Sequence, residues 1–481
     1  MMNYPLAKII ATIGPSCENK EKIQKLIKKG VNIFRFNLKH NTLEWHRNKI
    51  KLVRKISKSL KMPIGILIDL EGGELRTGNF KGKTFIELKK GETIIFAKKE
   101  EKSKYKIIPV QKFRDFFRLT AGQIIFVDDG KFKFKVEKIT NNKVFAKVIE
   151  EGKLDERKTI TLTNFYIESK VNFKEILPAL KLCLDLGVDF IALSFVRSKN
   201  EVLKYKEFFK THKSHPWIIS KIEAKEAVQN LDEILDVSDG IIVARGDLGV
   251  EISFEKVPLY QKKIIKKCLI RGKPVIVATH LLESMIENSQ PTRAEVSDIA
   301  NALYDFSDGF LLSAETAYGK NPDSAVAILR KIANFVENQK TEIKNFPFVV
   351  KTQTQAICLG AYHLYKSEFC QKQNVKAFVV LSQTGMTARA LSRLRSYLPI
   401  FVLTGNKSLV EKLTIIFGVH PLYLPLKNIY QIKGEREIKM VLNSLKEKTF
   451  LKRGDKIILI YGEDWGTKPG KTGVIKVQEV V

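Results

Sequence analysis

Eight short runs of apolar, mainly β-branched residues alternate along the chain with segments of helical periodicity, and every run ends in polar residues. Parallel strands covered by helices on their outer side have this near-continuous apolar character. The pattern therefore predicts eight parallel strands separated by helices, which is the count of a (β/α)8 TIM barrel in the α/β fold class. The runs are residues 7–14, 31–37, 63–71, 189–197, 217–223, 239–247, 274–280 and 308–315.

The pattern changes twice along the chain. Between the third and fourth runs, short segments with alternating apolar and polar positions are separated by Gly and Asn-Asn turns, which indicates an inserted all-β barrel. This insert leaves from the loop after the third strand, where a lid over a catalytic face would be hinged. After residue 345 a second α/β pattern begins, with five predicted strands at 377–382, 399–405, 420–425, 455–462 and 474–480. The predicted domains are 1–76 and 171–345 for the barrel, 77–170 for the lid and 346–481 for a C-terminal α/β domain.

The composition is that of a globular chain with large cores. Of the 481 residues, 44% are hydrophobic and 28% are charged, and no stretch is apolar enough for a membrane span or a secretory leader. We therefore expect a cytoplasmic location. The cysteines are scattered without a CxxC spacing, which favours reduced, buried thiols over a zinc site; they are Cys17, Cys183, Cys268, Cys358 and Cys370.

The chain is strongly basic. Its 83 Lys and Arg against 52 Asp and Glu give a net charge of +31, a balance that often indicates a nucleic-acid partner. Most of the excess is Lys dispersed over predicted helix surfaces, however, and no patch combines Arg with aromatic residues. We therefore expect no nucleic-acid partner, and the same field would favour small anionic substrates.

Polar side chains stand at the ends of all eight runs. Because the carboxyl ends of parallel barrel strands share one face, these side chains should converge on a single catalytic rim. The strand ends carry Thr12, Arg35, Asn37, Asp69, Arg197, Lys221, Glu223, Arg245, Asp247, Thr279, His280, Ser313 and Glu315.

The fifth and sixth runs suggest a chemistry for this rim. Lys221 and Glu223 point to the same side of a strand because side chains alternate with a period of two, and Asp247 ends the next run. Two carboxylates from neighbouring strand ends, without His or Cys, suit a hard cation such as Mg²⁺. Lys221 and Arg35 would neutralise a phosphoryl group or an enolate. The alternative is a buried ion pair that only stabilises the barrel, although such pairs are rarely net stabilising.

These residues belong to segments that resemble the pyruvate kinase family. The run 218–326 matches that family almost without a gap. Four earlier segments match the family's other landmarks in order, namely AKIIATIGPSC (7–17), GVNIFRFNLKH (30–40), DLEGGELRTG (69–78) and VDDG (127–130). The resemblance spans the whole chain. It implies a Mg²⁺-dependent enzyme of glycolysis that transfers the phosphoryl group of phosphoenolpyruvate to ADP, giving pyruvate and ATP. It also implies a homotetramer.

The resemblance also implies roles for single residues. Glu223 and Asp247 would hold Mg²⁺, while Lys221, Arg35 and Thr279 would be catalytic, Thr279 lying close to the path by which an enolate is protonated. The residues that contact the substrate would be Arg35, Lys221, Gly246, Asp247 and Thr279. Those that contact the nucleotide would be Arg76, His40 and Lys158. A phosphate-bearing effector would contact Ser382, Thr384, Gly385 and Thr387, and Glu315 would support the rim.

The chain departs from the family where the family binds K⁺. The resemblance implies Asn37, Asp69 and the carbonyl of Leu70 as ligands, but Lys39 stands where the family has a serine. A lysine ammonium can occupy a cation's place, so we expect weakened or absent K⁺ dependence with Lys39 as an internal cation. The alternative is that K⁺ still binds and Lys39 turns to solvent, which is consistent with Glu74, a residue type associated with K⁺-requiring members.

Two further departures are Glu71, where the family has lysine, and His280, where it often has glutamine; we assign His280 no catalytic role. Two alternative functions stay open. One is another barrel enzyme that acts on a Mg²⁺-bound enolate, such as an aldolase of a 2-oxo acid, and the other is a non-catalytic basic scaffold or nucleic-acid binder. The match along the whole chain argues against the first, and the intact charged rim argues against the second.

Overall fold

The structure is a computed structural model that describes residues 4–70, 72, 75–99, 101–111, 119–128, 130–140, 143–162, 173–340, 348–425, 435–462 and 472–481. In the first part of the chain, buried strands alternate with amphipathic helices. Asn19 and Thr42 cap the two helices, because their side chains accept the backbone N–H groups of Lys22 and Trp45. The elements are β1 (Lys8–Thr12), α1 (Lys20–Lys28), β2 (Ile33–Asn37), α2 (Leu43–Leu60) and β3 (Gly65–Leu70).

The insert forms a small closed barrel of seven strands in the order β10-β6-β7-β4-β12-β8-β9, with β11 and β5 as a separate pair. Alternating burial along Phe132–Thr140 shows why this sequence forms a one-sided sheet over its own core. The strands are β4 (Leu75–Thr77), β5 (Phe85–Leu88), β6 (Thr93–Ala97), β7 (Ile107–Gln111), β8 (Ile124–Val127), β9 (Phe132–Thr140), β10 (Lys143–Val148), β11 (Gly152–Asp155) and β12 (Thr159–Leu162).

The chain then returns to strands that alternate with helices. Thr292 and Glu295 form a reciprocal cap at the start of one of these helices. The elements are α3 (Phe173–Leu186), β13 (Phe190–Leu193), α4 (Lys199–Thr211), β14 (Trp217–Ile222), α5 (Lys225–Gln229), α6 (Leu231–Val237), β15 (Gly240–Ala244), α7 (Arg245–Ile252), α8 (Val257–Arg271), β16 (Val275–Ala278), α9 (Arg293–Tyr304), β17 (Gly309–Leu312), α10 (Ala314–Ala317) and α11 (Pro322–Asn338).

Eight parallel strands close into the main barrel in the order β1-β17-β16-β15-β14-β13-β3-β2. Each of the eight apolar runs contains one of these strands, so the predicted (β/α)8 fold is confirmed. The barrel closes where β1 pairs with β17, with Lys8 opposite Gly309. The predicted boundary between 76 and 77 falls inside β4, which pairs with the insert, whereas the boundaries at 170 and 345 lie outside the described residues.

The C-terminal domain is a five-stranded sheet in the order β20-β19-β18-β21-β22, in which only β22 runs antiparallel to its neighbour. All five predicted strands are present, and this confirms the α/β assignment. Its elements are α12 (Gln353–Lys366), α13 (Glu368–Lys372), β18 (Ala377–Leu381), α14 (Met386–Ser392), β19 (Ile400–Thr404), α15 (Lys407–Lys412), β20 (Val419–Tyr423), α16 (Glu435–Lys448), β21 (Lys456–Tyr461) and β22 (Val474–Glu479).

Buried charges join the amino end of the main barrel to the C-terminal domain. Lys8 Nζ donates to the carbonyl of Val419 at 2.7 Å. Asp308 accepts the backbone N–H of Phe417 at 3.0 Å and the guanidinium of Arg395 at 2.9 Å. We call this region the barrel joint, and it lies at the opposite end of the strands from the predicted catalytic rim.

All five cysteines are buried free thiols. No helix within the described part of the chain has both the length and the apolar character needed to cross a bilayer.

Candidate active site

A buried lysine lies at the centre of the rim, surrounded by oxygen atoms. Lys221, at the end of β14, places its Nζ 2.8 Å from Glu223 Oε1 and 3.4 Å from Asp69 Oδ2. The ammonium also donates to Ser194 Oγ at 3.0 Å. Lys221 is 8% exposed, and each of the two acidic residues is 1% exposed. The structure therefore gathers side chains from three neighbouring strand ends around one cation.

Arg35, at the end of β2, completes this cluster from the other side. Its Nε and Nη2 both lie 2.8 Å from Asp69 Oδ2, and its Nη1 donates to Thr12 Oγ1 at 3.0 Å. Thr12 in turn donates to the carbonyl of Leu312 at 2.8 Å, so it belongs to the network and is more than a turn residue. This clamp holds the guanidinium plane at the rim, where it can meet an anion.

The charges in this cluster shift one another's pKa. Burial alone would raise the pKa of Asp69, but the nearby charges of Lys221, Arg35 and Lys39 outweigh burial and lower the pKa to about 2. Burial would likewise lower the pKa of Lys221, but Asp69 and Glu223 outweigh it and raise the pKa above its ordinary value. Both groups therefore carry their charges throughout the neutral pH range.

The two predicted Mg²⁺ ligands follow the adjacent strands β14 and β15. Glu223 follows β14, and its Oε2 accepts the backbone N–H of Phe195 at 2.7 Å. The sequence placed Asp247 at the end of a strand, but β15 ends at Ala244 and Asp247 lies in the first turn of α7. No group of three or more His, Cys, Asp or Glu side chains suited to a metal occurs among the described residues. Two carboxylates fit Mg²⁺, since this ion keeps waters and takes substrate oxygens as further ligands.

Thr279 lies in a turn that follows β16. Its Oγ1 accepts the backbone N–H of Gly246 at 2.8 Å and donates to the carbonyl of Ala278 at 2.6 Å. Thr279 and His280 both have positive φ, at 69° and 51°. The turn thereby brings the Thr279 hydroxyl to Gly246 in the N-terminal turn of α7.

The predicted K⁺ ligands lie beside the same cluster. The backbone N–H of Lys39 donates to Asn37 Oδ1 at 3.2 Å, and Ser194 Oγ donates to the carbonyl of Leu70 at 3.2 Å. The Lys39 charge also lowers the pKa of Asp69, so this ammonium acts on the carboxylate that K⁺ would share. Glu71 and Glu74 lie outside the described residues.

The residues predicted to bind nucleotide lie between the rim and the insert. Arg76 of β4 donates to the carbonyl of Arg157 at 2.6 Å, and Lys158 Nζ lies 3.0 Å from Asp128 Oδ1. Burial lowers the pKa of His40, and the charges of Arg76, Arg35, Lys39 and Arg157 lower it further. These cations are therefore close enough to act on one imidazole.

A cleft of about 590 Å³ separates the insert from α7 and α8, with Phe126, Lys133 and Gly246 among its lining residues. At one edge the two bodies approach closely, since a Cβ on Gly130 would lie 3.4 Å from Val250 of α7. Gly130 has a φ of 84°, which glycine adopts without strain. The insert is therefore placed to cover the rim.

The predicted effector residues lie apart from this cluster, on the loop between β18 and α14. Ser382 Oγ accepts the backbone N–H of Gly385 at 2.9 Å, and Thr387 Oγ1 lies 2.8 Å from Thr472 Oγ1. Thr384 Oγ1 accepts the N–H of Met386 at 3.5 Å. The effector role of this loop stays a prediction.

Sequence reasoning overlooked Ser194 and overrated Arg197, although both belong to the same strand end. Ser194 bonds to Asp69, Leu70 and Lys221, whereas Arg197 turns to the carbonyl of Phe195 at 3.3 Å and to Glu226 at 3.6 Å. The signal for Ser194 was available, because Leu193 is the last strand residue and Ser194 is the first polar residue after it.

Glu315 supports the rim from below. Its carboxylate accepts the backbone N–H groups of Leu282 at 3.3 Å and Ser313 at 2.7 Å, which joins the loops after β16 and β17. Burial raises the pKa of this carboxyl. Its role is consistent with the support predicted for it.

Fold and site together define a TIM-barrel protein with an inserted β-barrel and a buried lysine-carboxylate centre at the carboxyl ends of the strands. Residues 4–326 match the family model described as "Pyruvate kinase, barrel domain", and residues 361–478 match "Pyruvate kinase, alpha/beta domain". The chain belongs to the pyruvate kinase family, which confirms the predicted resemblance.

Relatives in Staphylococcus aureus agree with this assignment. Proteins named "Pyruvate kinase" from strains MRSA252 and USA300 are each 35% identical to this chain over 483 residues. The alignments cover 98% of this chain and 80% of each relative.

Proposed function

We propose that this chain is an active pyruvate kinase that transfers the phosphoryl group of phosphoenolpyruvate to ADP. The observation that supports this most strongly is the buried ammonium of Lys221, which lies 2.8 Å from Glu223 and 3.4 Å from Asp69. The shifted pKa values of Lys221 and Asp69 keep both groups charged at neutral pH. A fixed cation with two fixed carboxylates is preorganised for phosphoryl transfer, which depends mostly on positioning and charge neutralisation.

In the proposed reaction the bond between phosphorus and the enol oxygen breaks, and a terminal phosphate oxygen of ADP forms the new bond to phosphorus. Lys221 and Arg35 neutralise the phosphoryl oxygens, and Lys221 then stabilises the enolate oxygen that is left. The enolate carbon finally takes up a proton, supplied by water, on the side of Thr279. Lys221 keeps its own proton throughout, which its raised pKa supports.

Mg²⁺ would be held by Glu223 and Asp247, and when bound it supplies positive charge to the oxygens of the substrate. The phosphates of ADP would meet Arg76, His40 and Lys158. The insert would exclude water above the rim and so prevent hydrolysis of the phosphoryl donor.

The test is to follow phosphoenolpyruvate, ADP and Mg²⁺ by ³¹P NMR for the parent and for Glu223→Gln. We expect the parent to produce ATP and pyruvate, and the variant to lose at least about 10²-fold in rate because one metal ligand and one partner of Lys221 disappear. Glu233→Gln is the matched control, since Glu233 pairs with Lys199 on the barrel surface. Folded parent protein that forms no pyruvate at any Mg²⁺ concentration would refute the proposal, and steeply salt-dependent binding to arbitrary DNA would favour the scaffold alternative.

We further propose that Lys39 takes the place of K⁺. Its charge acts on Asp69, and its backbone is bonded to Asn37. Parent protein should keep its rate when K⁺ is replaced by tetramethylammonium, whereas Lys39→Ser should need K⁺ and Lys39→Met should be slow with either cation. If the parent loses nearly all activity without K⁺, the lysine does not replace the ion.

Two finer expectations rest on the family alone, namely a homotetramer and a location in the cytoplasm. Light scattering of the purified protein measures the first. A mass near four times the chain's 54.9 kDa would support it, and a monomer would contradict it. Fractionation of the source cells measures the second.

A further inference from the structure

The guanidinium of Arg245 joins three elements at the rim. Arg245 is the first residue of α7, and its Nη2 donates to the carbonyls of Thr279 at 2.7 Å and His280 at 2.9 Å. Its Nε also reaches the Thr279 carbonyl at 3.2 Å. On the far side, Nη1 bonds both carboxylate oxygens of Asp298 in α9, at 2.8 and 2.7 Å. The Arg245 side chain is 9% exposed and that of Asp298 is 36% exposed, so the guanidinium is largely shielded from water while its carboxylate partner is not.

The turn that Arg245 holds has an unfavourable backbone. Thr279 and His280 are consecutive residues with φ of 69° and 51°, in the left-handed region that favours glycine. A β-branched residue such as threonine pays most for this conformation, because its Cβ substituents crowd the backbone. Strain of this kind persists only where the surroundings determine the conformation.

The carbonyls of these two strained residues are the ones that Arg245 binds. From the other side, the N–H of the next residue, Gly246, donates to Thr279 Oγ1 at 2.8 Å. Consecutive residues of α7 thus hold the backbone and the hydroxyl of Thr279 at once. Asp298 holds the guanidinium in the plane that this double contact requires.

We propose that Arg245, held by Asp298, is a positioning residue that fixes the Thr279 hydroxyl beside the first turn of α7, where the hydroxyl passes a proton to the enolate carbon and takes one up from water. This inference rests on the proposed function, since it assumes that the site makes an enolate. Arg245 itself touches no reacting atom in this scheme, and its effect passes through the position of Thr279.

The test compares Arg245→Lys, Thr279→Ala and the double variant. Lysine keeps the positive charge but cannot bind two carbonyls and a carboxylate in one plane. We expect Arg245→Lys to lower kcat by about 10²-fold, the effect of a misplacement of roughly 1 Å, while KM for phosphoenolpyruvate changes little. If Arg245 acts through Thr279, the double variant should be no slower than Thr279→Ala.

A second readout isolates the proton step. Exchange of the methyl protons of pyruvate with ²H₂O, followed by ¹H NMR, requires no phosphoryl transfer between substrates. Arg245→Lys and Thr279→Ala should slow this exchange by similar factors. A purely structural role for Arg245 would lower stability without this selective loss.

The chain offers a matched control in Arg54. Its guanidinium also binds two carbonyls, those of Ile64 at 3.1 Å and Gly187 at 3.2 Å, together with the carboxylate of Asp189 at 2.8 Å. This second clamp lies at the amino end of β3 and β13, away from the rim. Arg54→Lys should therefore lower the melting temperature and leave kcat and the exchange rate near those of the parent.

Several outcomes would overturn the inference. Multiplicative losses in the double variant would show that Arg245 and Thr279 act independently, and an Arg245→Lys enzyme as fast as Arg54→Lys would show that the clamp does not position the hydroxyl. Should Arg245→Lys fail to fold, Asp298→Asn serves in its place. We expect this variant to lower kcat by a smaller factor, and an unchanged kcat would overturn the inference. Failure of the proposed function is distinct, because the parent itself would then form no pyruvate.

Discussion

Two lysines are buried on strands of the same barrel, and their surroundings shift their pKa in opposite directions. Lys221, at the catalytic rim, has two carboxylates within 3.4 Å, and their charges outweigh burial and raise its pKa. Lys8, at the barrel joint, has the carbonyl of Val419 as its hydrogen-bond acceptor. Burial and the charge of Arg330 lower its pKa to about 7, although Glu337 and Asp308 partly oppose them.

The difference shows what a buried lysine needs in order to stay protonated and bind an anionic substrate. Burial costs free energy in both places, and only adjacent carboxylates return enough of it to keep a lysine protonated. At the rim, a permanent cation is held ready for an anionic substrate. At the barrel joint, the ammonium mainly supplies a hydrogen bond between two domains, and its charge is marginal.

The largest expected effect is on activity. Lys221→Met should lower the rate of pyruvate formation by at least about 10³-fold, because it removes the cation that faces the phosphoryl group. Lys8→Met should leave the rate within several-fold of the parent, since this residue lies at the opposite end of the strands. Steady-state assays of both purified variants check the pair, and equal losses would remove the distinction between the two lysines.

The next effect concerns stability at the rim. Asp69→Asn leaves the charges of Lys221 and Arg35 without their shared carboxylate and should cost about 4 kcal/mol of unfolding free energy. Because the folded pKa of Asp69 is about 2, below its unfolded value, its contribution is present above about pH 4 and is lost as the pH falls to 2. Urea denaturation between pH 5 and 2 should therefore give a shallower pH dependence for the variant. Parallel curves would contradict the assigned shift.

At the barrel joint stability also rises with pH, but here the charged form is the one that burial disfavours. Between pH 7 and about 10.5, unfolded Lys8 holds a proton that folded Lys8 has lost, so the stability of the parent should rise with pH relative to Lys8→Met. We expect this relative gain to reach about 3 kcal/mol between pH 7 and 10. Denaturant titrations in that range measure it, with the surface variant Lys199→Met as the control. A relative stability that stays constant or falls would show that Lys8 remains protonated.

The smallest effect belongs to an exposed pair. Lys372 lies 2.8 Å from Glu368 on α13, and both side chains are more than two-thirds exposed. Lys372→Ala should change the unfolding free energy by less than about 0.5 kcal/mol, because water already solvates both charges. A change as large as that of Asp69→Asn would mean that burial does not account for the contrast between the lysines.

Hydrophobic pattern alone predicted the strands of the main barrel and of the C-terminal sheet. Parallel strands in a barrel are apolar on both faces, so their runs stand out in the sequence. The insert was predicted to be an all-β barrel, but the sequence pattern did not predict every one of its strands. β7 contains Pro109, which weakens the strand pattern, and β4 and β11 are too short to show a period.

Within the site, strand spacing brought Lys221 and Glu223 together correctly, because their contact depends on the local period of two. Other contacts depend on distant parts of the chain and on unusual backbone conformations. Ser194 reaches Asp69 across 125 residues of sequence, and Thr279 adopts a positive φ that its residue type disfavours. No periodicity encodes either feature.

The main barrel can close only after its last strand has been synthesised. β1 pairs with β17, and the backbone N–H of Thr12 donates to Thr316 Oγ1 across 304 residues. At a translation rate of roughly 5–20 residues per second, the ribosome needs about 15–60 s to make the intervening chain. During that interval one edge of β1 has no native neighbour, and the first half of the barrel is most exposed to aggregation.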